Sequence, residues 1–206
     1  MYILLRNGGV KLKIQGVVLA GGHSRRFGRP KAFAKKDGIP FFEYSIRALE
    51  KHCQSLVIVT NPHIKEQFEK AIVNETIQII NDEIEFRGQG PLSGIYTAME
   101  HCPAEWYMVS PIDVPFIQPN IFEILLRHIS DQYEVIVPIV CEKIQPLLAL
   151  YHYSLKEEMK RNLQMNQNSL IEFLVNQRMK YIFIECDHYF ININSQEDYK
   201  KFIQAN

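Results

Sequence analysis

The sequence predicts an α/β protein of three layers, α/β/α, built on a mostly parallel sheet with an antiparallel hairpin in its second half. Three observations carry that expectation. Short apolar runs rich in β-branched residues alternate with segments of helical period from Ile14 to Pro115, which implies right-handed crossovers between parallel strands. The run Ile14 to Ala20 (IQGVVLA) is apolar nearly throughout, as a strand covered on both faces must be, and ends at once in Gly21 and Gly22. After about Asp131 two strand-like runs stand only six residues apart, a spacing for a hairpin rather than a crossover.

The elements follow in order. Pro40 to His52 places Phe41, Tyr44, Ala48 and Leu49 near helical spacing, with a proline at the start where its missing N–H costs nothing. Ser55 to Thr60 reads as the next strand, PHIKEQFEKAI after it as a helix, and Ile77 to Ile80 as a third strand. Pro91 to His101 reads as a helix and Trp106 to Ser110 as a strand running into Pro111-Ile112-Asp113-Val114-Pro115. Glu134 to Val140 and Leu147 to Tyr151 form the expected hairpin, with Pro138 arguing for an edge or a bulge. Ser154 to Leu163 and Ser169 to Gln177 look helical, and both start with a capping-box pattern, Ser154 with Glu157 and Ser169 with Glu172. A strand from Tyr181 to Glu185 and a helix from Ser195, with Asp198 three residues on, close the chain. Residues 1–13 show no period and are expected to be an N-terminal extension before a single domain, residues 14–206.

The length, 206 residues, suits one domain. A composition of 47% hydrophobic and 22% charged residues excludes a disordered or low-complexity chain. Twenty-three Lys and Arg balance twenty-three Asp and Glu, so no global field draws in nucleic acid or an anionic membrane, and neither is expected as a partner. The four cysteines are far apart and form no CxxC pair, which fits a reduced, cytoplasmic location, and the histidines show no HxxxH zinc spacing. No run approaches a membrane span.

Local charge must therefore carry any phosphate chemistry. Between Gly22 and Lys36 stand six cations, Arg25, Arg26, Arg29, Lys31, Lys35 and Lys36, and no acid. A glycine pair at a strand end lets the backbone approach a ligand closely and can form an anion-binding nest. Each feature alone is common in turns and on solvated faces; together, at a strand-to-helix junction, they point to a nucleotide. Two familiar motifs do not fit. Gly22 and Gly28 are one residue too far apart for a P-loop and Ala32 follows Lys31, and GxGxxG is absent.

The string LAGGHSRRFGRPK from Leu19 to Lys31 resembles the signature of the nucleotidyltransferase superfamily, and within it that of the molybdenum cofactor guanylyltransferases. Gly90-Pro91-Leu92-Ser93-Gly94-Ile95, Ser110-Pro111-Ile112-Asp113-Val114-Pro115 and Phe190-Ile191-Asn192-Ile193-Asn194 follow in the family's order, so the resemblance spans nearly the whole chain. It implies a Rossmann-like, glycosyltransferase-A-like nucleotidyltransferase fold. It implies transfer of GMP from GTP to molybdopterin, or to its molybdenum-bearing form, with release of pyrophosphate by in-line attack. Contacts with molybdenum-insertion proteins and molybdoenzyme chaperones go with that activity.

The resemblance carries over these residues. Leu19, Ala20, Gly21, Gly22, Lys31, Asn61, Asp82 and Asp113 would bind GTP; Arg25, Lys31 and Asp113 would be catalytic; Asp113 would hold Mg²⁺; Asn192 and Asn194 would lie on the pterin side. Locally, Asp113 between two prolines also reads as a turn residue, and Asn61 and Asp82, each just past a strand, as caps. Arg26 could replace Arg25 if the loop turns differently. If Asn192 and Asn194 lie in a strand, their amides share one face. Gly90 and Gly94 are expected to shape the site. Two departures stand out: Arg29-Pro30 precedes Lys31 where many members have an acid, and Gln145-Pro146 stands where many have Arg or His before the proline. The nearest alternative is the cytidylyltransferase acting on the same pterin, whose members usually carry alanine at the position of Gly21 and lack GPLxG. From another class comes a non-catalytic module that binds nucleotide or molybdopterin without turnover.

Overall fold

The computed structural model describes residues 12–22, 27–28, 30–185 and 187–204. In chain order the elements are β1 (Ile14–Ala20), β2 (Lys35–Lys36), β3 (Ile39–Pro40), α1 (Phe41–Leu49), β4 (Ser55–Thr60), α2 (Pro62–Ala71) and β5 (Ile77–Asn81). Next come α3 (Pro91–His101), β6 (Trp106–Pro111), α4 (Pro119–Leu126), β7 (Val135–Val140), β8 (Lys143–Ile144) and β9 (Leu150–His152). Then follow α5 (Lys156–Gln164), α6 (Leu170–Leu174), β10 (Met179–Phe183) and α7 (Gln196–Tyr199), which runs on into a π-helical stretch, Lys200–Gln204.

The sheet runs β10-β7-β9-β6-β1-β4-β5, with β8 paired to β7. Every neighbouring pair along this order is parallel except those that β9 makes with β6 and β7. Because strand residues alternate faces, β1 feeds two cores at once. Val17 joins Val57 and Val59 under α3, α5 and α6, while Ile14 and Val18 join Ile58 under α1, α2 and α4. The three-layer expectation is met, and the run IQGVVLA is buried on both faces for this reason.

The order reverses at β1, which has β4 on one side and β6 on the other. At such a switch point the crossovers leave in opposite directions, opening a crevice at the carboxyl ends of the strands. The glycine pair and Asp113 both follow strands of this pair, so one crevice receives both.

Four expectations are corrected. Pro138 is in an interior strand: β10 pairs along one side, and on the other the ladder passes from β9, at Val135 and Ile136, to β8, at Ile139 and Val140. A residue without an N–H is tolerated in that gap. Ser154 does not cap α5, whose N-cap is Leu155; its hydroxyl donates instead to Glu134 Oε1 at 3.2 Å. Residues 191–194 form no strand, so alternation does not align Asn192 with Asn194. The helix α4 was not expected, although Pro119 at its first turn and buried Ile121, Phe122, Leu125 and Leu126 carry helical spacing. By contrast Ser195 and Asp198 make the full reciprocal cap, and Ser169 caps the Glu172 N–H. Of the expected extension, residues 1–11 lie outside the described residues, and Leu12 packs into the core.

Candidate active site

A cleft of about 290 Å³ opens at the carboxyl ends of β1, β4, β5 and β6. Leu19, Gly21 and Gly22 supply one wall, Asp82 and the stretch from Gly88 to Gly94 another, and Lys31, Asp113 and Leu147 the rest. The backbone leading to Asp113 is fixed from three sides. The Ile112 N–H donates to the Leu19 carbonyl at 3.3 Å, the Ser45 hydroxyl on α1 donates to the Pro111 carbonyl at 2.7 Å, and the Ile193 N–H donates to the Asp113 carbonyl at 2.8 Å.

Lys31 starts a short 3₁₀ turn, Lys31–Phe33, and its Nζ lies 3.0 Å from Asp113 Oδ2 and 2.9 Å from Asn194 Oδ1. The second carboxylate oxygen, Asp113 Oδ1, is buried without a hydrogen-bond partner. A desolvated, unpartnered anionic oxygen is costly, and a cation is its natural complement. Among the described residues no group of three His, Cys, Asp or Glu could hold a metal by itself. A donor set of one carboxylate suits a hard divalent ion completed by substrate phosphates and water.

Asp82 follows β5, with its N–H bonded to the Thr60 carbonyl at 3.1 Å. Its carboxylate fits beside two glycines. A Cβ on Gly21 would meet Asp82 Oδ2 at 2.9 Å, and one on Gly94 would meet Leu19 Cδ2 at 2.8 Å and Asp82 Oδ1 at 3.7 Å. Burial pushes the Asp82 carboxyl up to about 6, partly offset by the Arg87 guanidinium. Such a group accepts N–H donors on both oxygens when ionised, and as pH falls through about 6 protonation turns one of those oxygens into a donor.

Of the residues expected from sequence, Leu19, Gly21, Gly22, Lys31, Asp82 and Asp113 line this one cleft, as do Gly90 and Gly94. Ala20 is buried at the end of β1 and does not line it. Asn61 caps α2 through Oδ1, which accepts from the His63 N–H at 3.0 Å, and its Nδ2 donates to the Gly21 carbonyl at 3.3 Å. It braces the glycine pair from behind. Asn194 meets Lys31, whereas Asn192 is exposed and donates to the Phe190 carbonyl at 3.4 Å. Arg25, Arg26 and Arg29 lie outside the described residues. Lys36 pairs with Asp37 at 2.8 Å and sits over the rings of Tyr44 and Phe116, so among the described cations of the loop only Lys31 lines the cleft.

The sequence reading missed Phe27 and Leu147. Phe27, 1% exposed, buries its ring edge-on against Tyr199 with centroids 5.6 Å apart, which anchors the middle of the glycine and arginine loop in a small core of its own. The signal was present, as an aromatic residue among five charges and glycines. Leu147 brings the hairpin to the cleft wall while Tyr151 holds the preceding Pro146 carbonyl at 2.6 Å. Among the described residues no helix is long and apolar enough to cross a membrane.

Residues 16–180 match a family described as a MobA-like NTP transferase domain. A relative from Bacillus cereus (strain AH187), named probable molybdenum cofactor guanylyltransferase, is 39% identical over 191 residues, covering 91% of this chain and 94% of the relative. Another of the same name, from Bacillus cytotoxicus, is 37% identical over 195 residues, covering 92% and 96%. Among solved structures, the molybdopterin-guanine dinucleotide biosynthesis protein A of Archaeoglobus fulgidus superposes with a TM-score of 0.76 at 25% identity, over 93% of this chain and 97% of that one.

Proposed function

Since this chain belongs to the MobA-like NTP transferase family, we propose that it transfers GMP from GTP to molybdopterin, or to its molybdenum-bearing form, and releases pyrophosphate. The observation that carries this reading is the meeting of Lys31, Asp82 and Asp113 around one cleft at the β1 and β6 switch point. A terminal phosphate oxygen of the pterin attacks the α-phosphorus of GTP, and the bond from that phosphorus to the β-phosphate bridging oxygen breaks. The nucleophile is already an anion, so no general base is needed. The work left to the protein is alignment and charge compensation.

In this reading Gly21 and Gly22 let the backbone approach the nucleotide, Asp82 accepts from the guanine edge, and Asn61 holds the Gly21 carbonyl in place. Leu19 and Ala20 set the strand end beneath them. Lys31 offsets charge on the phosphates, joined by Arg25 from the same loop. Asp113 holds a divalent cation, Mg²⁺, which when bound neutralises charge on the α-phosphate and on the departing pyrophosphate. Asn194 belongs to the pterin side of Lys31, and Asn192 is assigned to the same side by the resemblance alone. Residues 14–206 act as one domain, in the cytoplasm, with contacts to molybdenum-insertion proteins and molybdoenzyme chaperones.

The resemblance favours guanine over cytosine, because cytidylyltransferases of this pterin usually carry alanine at the position of Gly21 and lack the GPLxG stretch that runs here from Gly90 to Gly94. A ligand raises stability by RT ln(1 + [L]/Kd), so a thermal shift with GTP that exceeds those with CTP, ATP and UTP supports the base assignment. Pyrophosphate release from GTP with added molybdopterin tests turnover. Asp113→Ala should lower that rate by orders of magnitude while part of the nucleotide binding survives; an unaltered rate would remove Asp113 from its role.

A further inference from the structure

Among the described residues, nothing after Leu147 lines the cleft, yet the capped start of α7 is bonded to the loop that does. Gln196 Nε2 donates to the Phe27 carbonyl at 2.7 Å, across 169 positions of sequence. Asn194 Oδ1 accepts from Lys31 Nζ at 2.9 Å. Asn194 is itself fixed by Asp198, whose Oδ2 accepts from the Asn194 N–H at 2.9 Å and from the Ser195 N–H at 2.8 Å, while Ser195 Oγ accepts from the Asp198 N–H at 3.1 Å. The matched family domain ends at residue 180, before this turn begins.

These bonds have a physical purpose beyond holding the terminus down. A side chain that donates to a loop carbonyl fixes the backbone there without using a loop N–H that could face an anion. Gln196 is such a donor. A lysine side chain loses up to about 2 kcal/mol of rotamer freedom when fixed, a cost removed from binding if the protein has fixed it beforehand. Asn194, locked by the cap, does so for Lys31.

We propose that Gln196 and Asp198 are positioning residues for the nucleotide: Gln196 sets the loop backbone through the Phe27 carbonyl, and Asp198 sets Asn194, which aims the Lys31 ammonium. The proposal rests on the nucleotidyl-transfer reading for the identity of its ligand. A merely scaffolding turn would change melting temperature and leave the folded protein's affinity alone.

The test uses Gln196→Ala, Asp198→Ala, the conservative Asp198→Asn, which keeps an acceptor, and Glu197→Gln as a control on the same turn. Amide exchange of residues 27–36 is read without nucleotide, and GTP affinity by calorimetry with Mg²⁺ well below the melting temperature. Gln196→Ala and Asp198→Ala should each speed exchange in 27–36 and weaken GTP by about five- to tenfold, the scale of one lost hydrogen bond, with Asp198→Asn and Glu197→Gln near wild type. Wild-type GTP affinity in both alanine variants overturns the proposal, even if their melting temperatures fall. If the wild-type protein itself binds no GTP, the fault is with the proposed substrate; faster exchange in 27–36 then keeps the positioning role, and unchanged exchange overturns it too.

Discussion

Lys31 and Asp113, 82 residues apart in sequence, face each other across the mouth of the cleft with Nζ 3.0 Å from Oδ2 and side chains only 11% and 22% exposed. The cation assigned to phosphate and the carboxylate assigned to a metal thus neutralise one another in the protein alone. A divalent ion brought to Asp113 must share the site with the ammonium, which repels it. Phosphate oxygens placed between the two cations relieve that repulsion.

Lys31→Met should therefore move two affinities in opposite directions. Mn²⁺ binding without nucleotide, read by electron paramagnetic resonance, should tighten by about tenfold, while GTP binding weakens by a similar factor. Mn²⁺ affinity equal to or below that of the wild-type protein would show that the pair does not compete with metal.

Gly21→Ala tests the packing of the base side. The new Cβ would stand 2.9 Å from Asp82 Oδ2, and the carboxylate can swing away at little cost to folding. The expected result is a melting temperature close to wild type with GTP affinity down by about tenfold or more. Gly94→Ala meets the packed Leu19 Cδ2 at 2.8 Å instead, so it should cost about 1–3 kcal/mol of stability, the range for overpacking a core. Equal thermal shifts with GTP in Gly21→Ala and wild type would separate Asp82 from guanine binding.

Local features were legible in the sequence, and long-range geometry was not. The period and β-branching of Ile14–Ala20 and Ser55–Thr60 mark strands because burial on both faces demands apolar residues at every position. The position of β9, antiparallel between β6 and β7, depends on which strand edge is free after the parallel crossovers, and no local pattern encodes that. Pro138 misled for the same reason, since an interior gap between two ladders tolerates proline as an edge does. The motif identified Lys31 and Asp113 separately, but not their ion pair, which depends on β6 lying beside β1, nor the bond from Gln196 to Phe27, which depends on how the chain end returns to the loop.

The cysteines test the two cores without reference to function. Burial pushes the Cys53 thiol up to about 12 and also raises Cys102, while Cys141 is exposed in the turn after β7. Since the thiolate is the reactive form, iodoacetamide at pH 8 should label Cys141 at least about tenfold faster than Cys53 or Cys102, and the difference should vanish in denaturant. Rapid labelling of Cys53 in the native protein would contradict the packing beneath β1.

Asp82 should give folding and binding opposite responses to pH. Its carboxyl titrates at about 6 in the folded protein against an ordinary value of 3.8, because burial disfavours the charged form. Between those values the native state holds a proton that the unfolded chain has released. The contribution of Asp82 to stability is therefore complete below about pH 4 and is lost as pH rises through about 6. Asp82→Asn removes the titration, so the stability of the variant minus that of the wild type should grow from pH 4 to pH 7 in parallel denaturant melts. Guanine binding needs the ionised form as acceptor, so wild-type GTP affinity should rise through the same window and level off above it, while the variant stays weak throughout. A stability difference that does not change with pH would mean that the carboxyl is not desolvated in the folded protein, and a GTP affinity flat from pH 5 to 7 would mean that the base is read by another group.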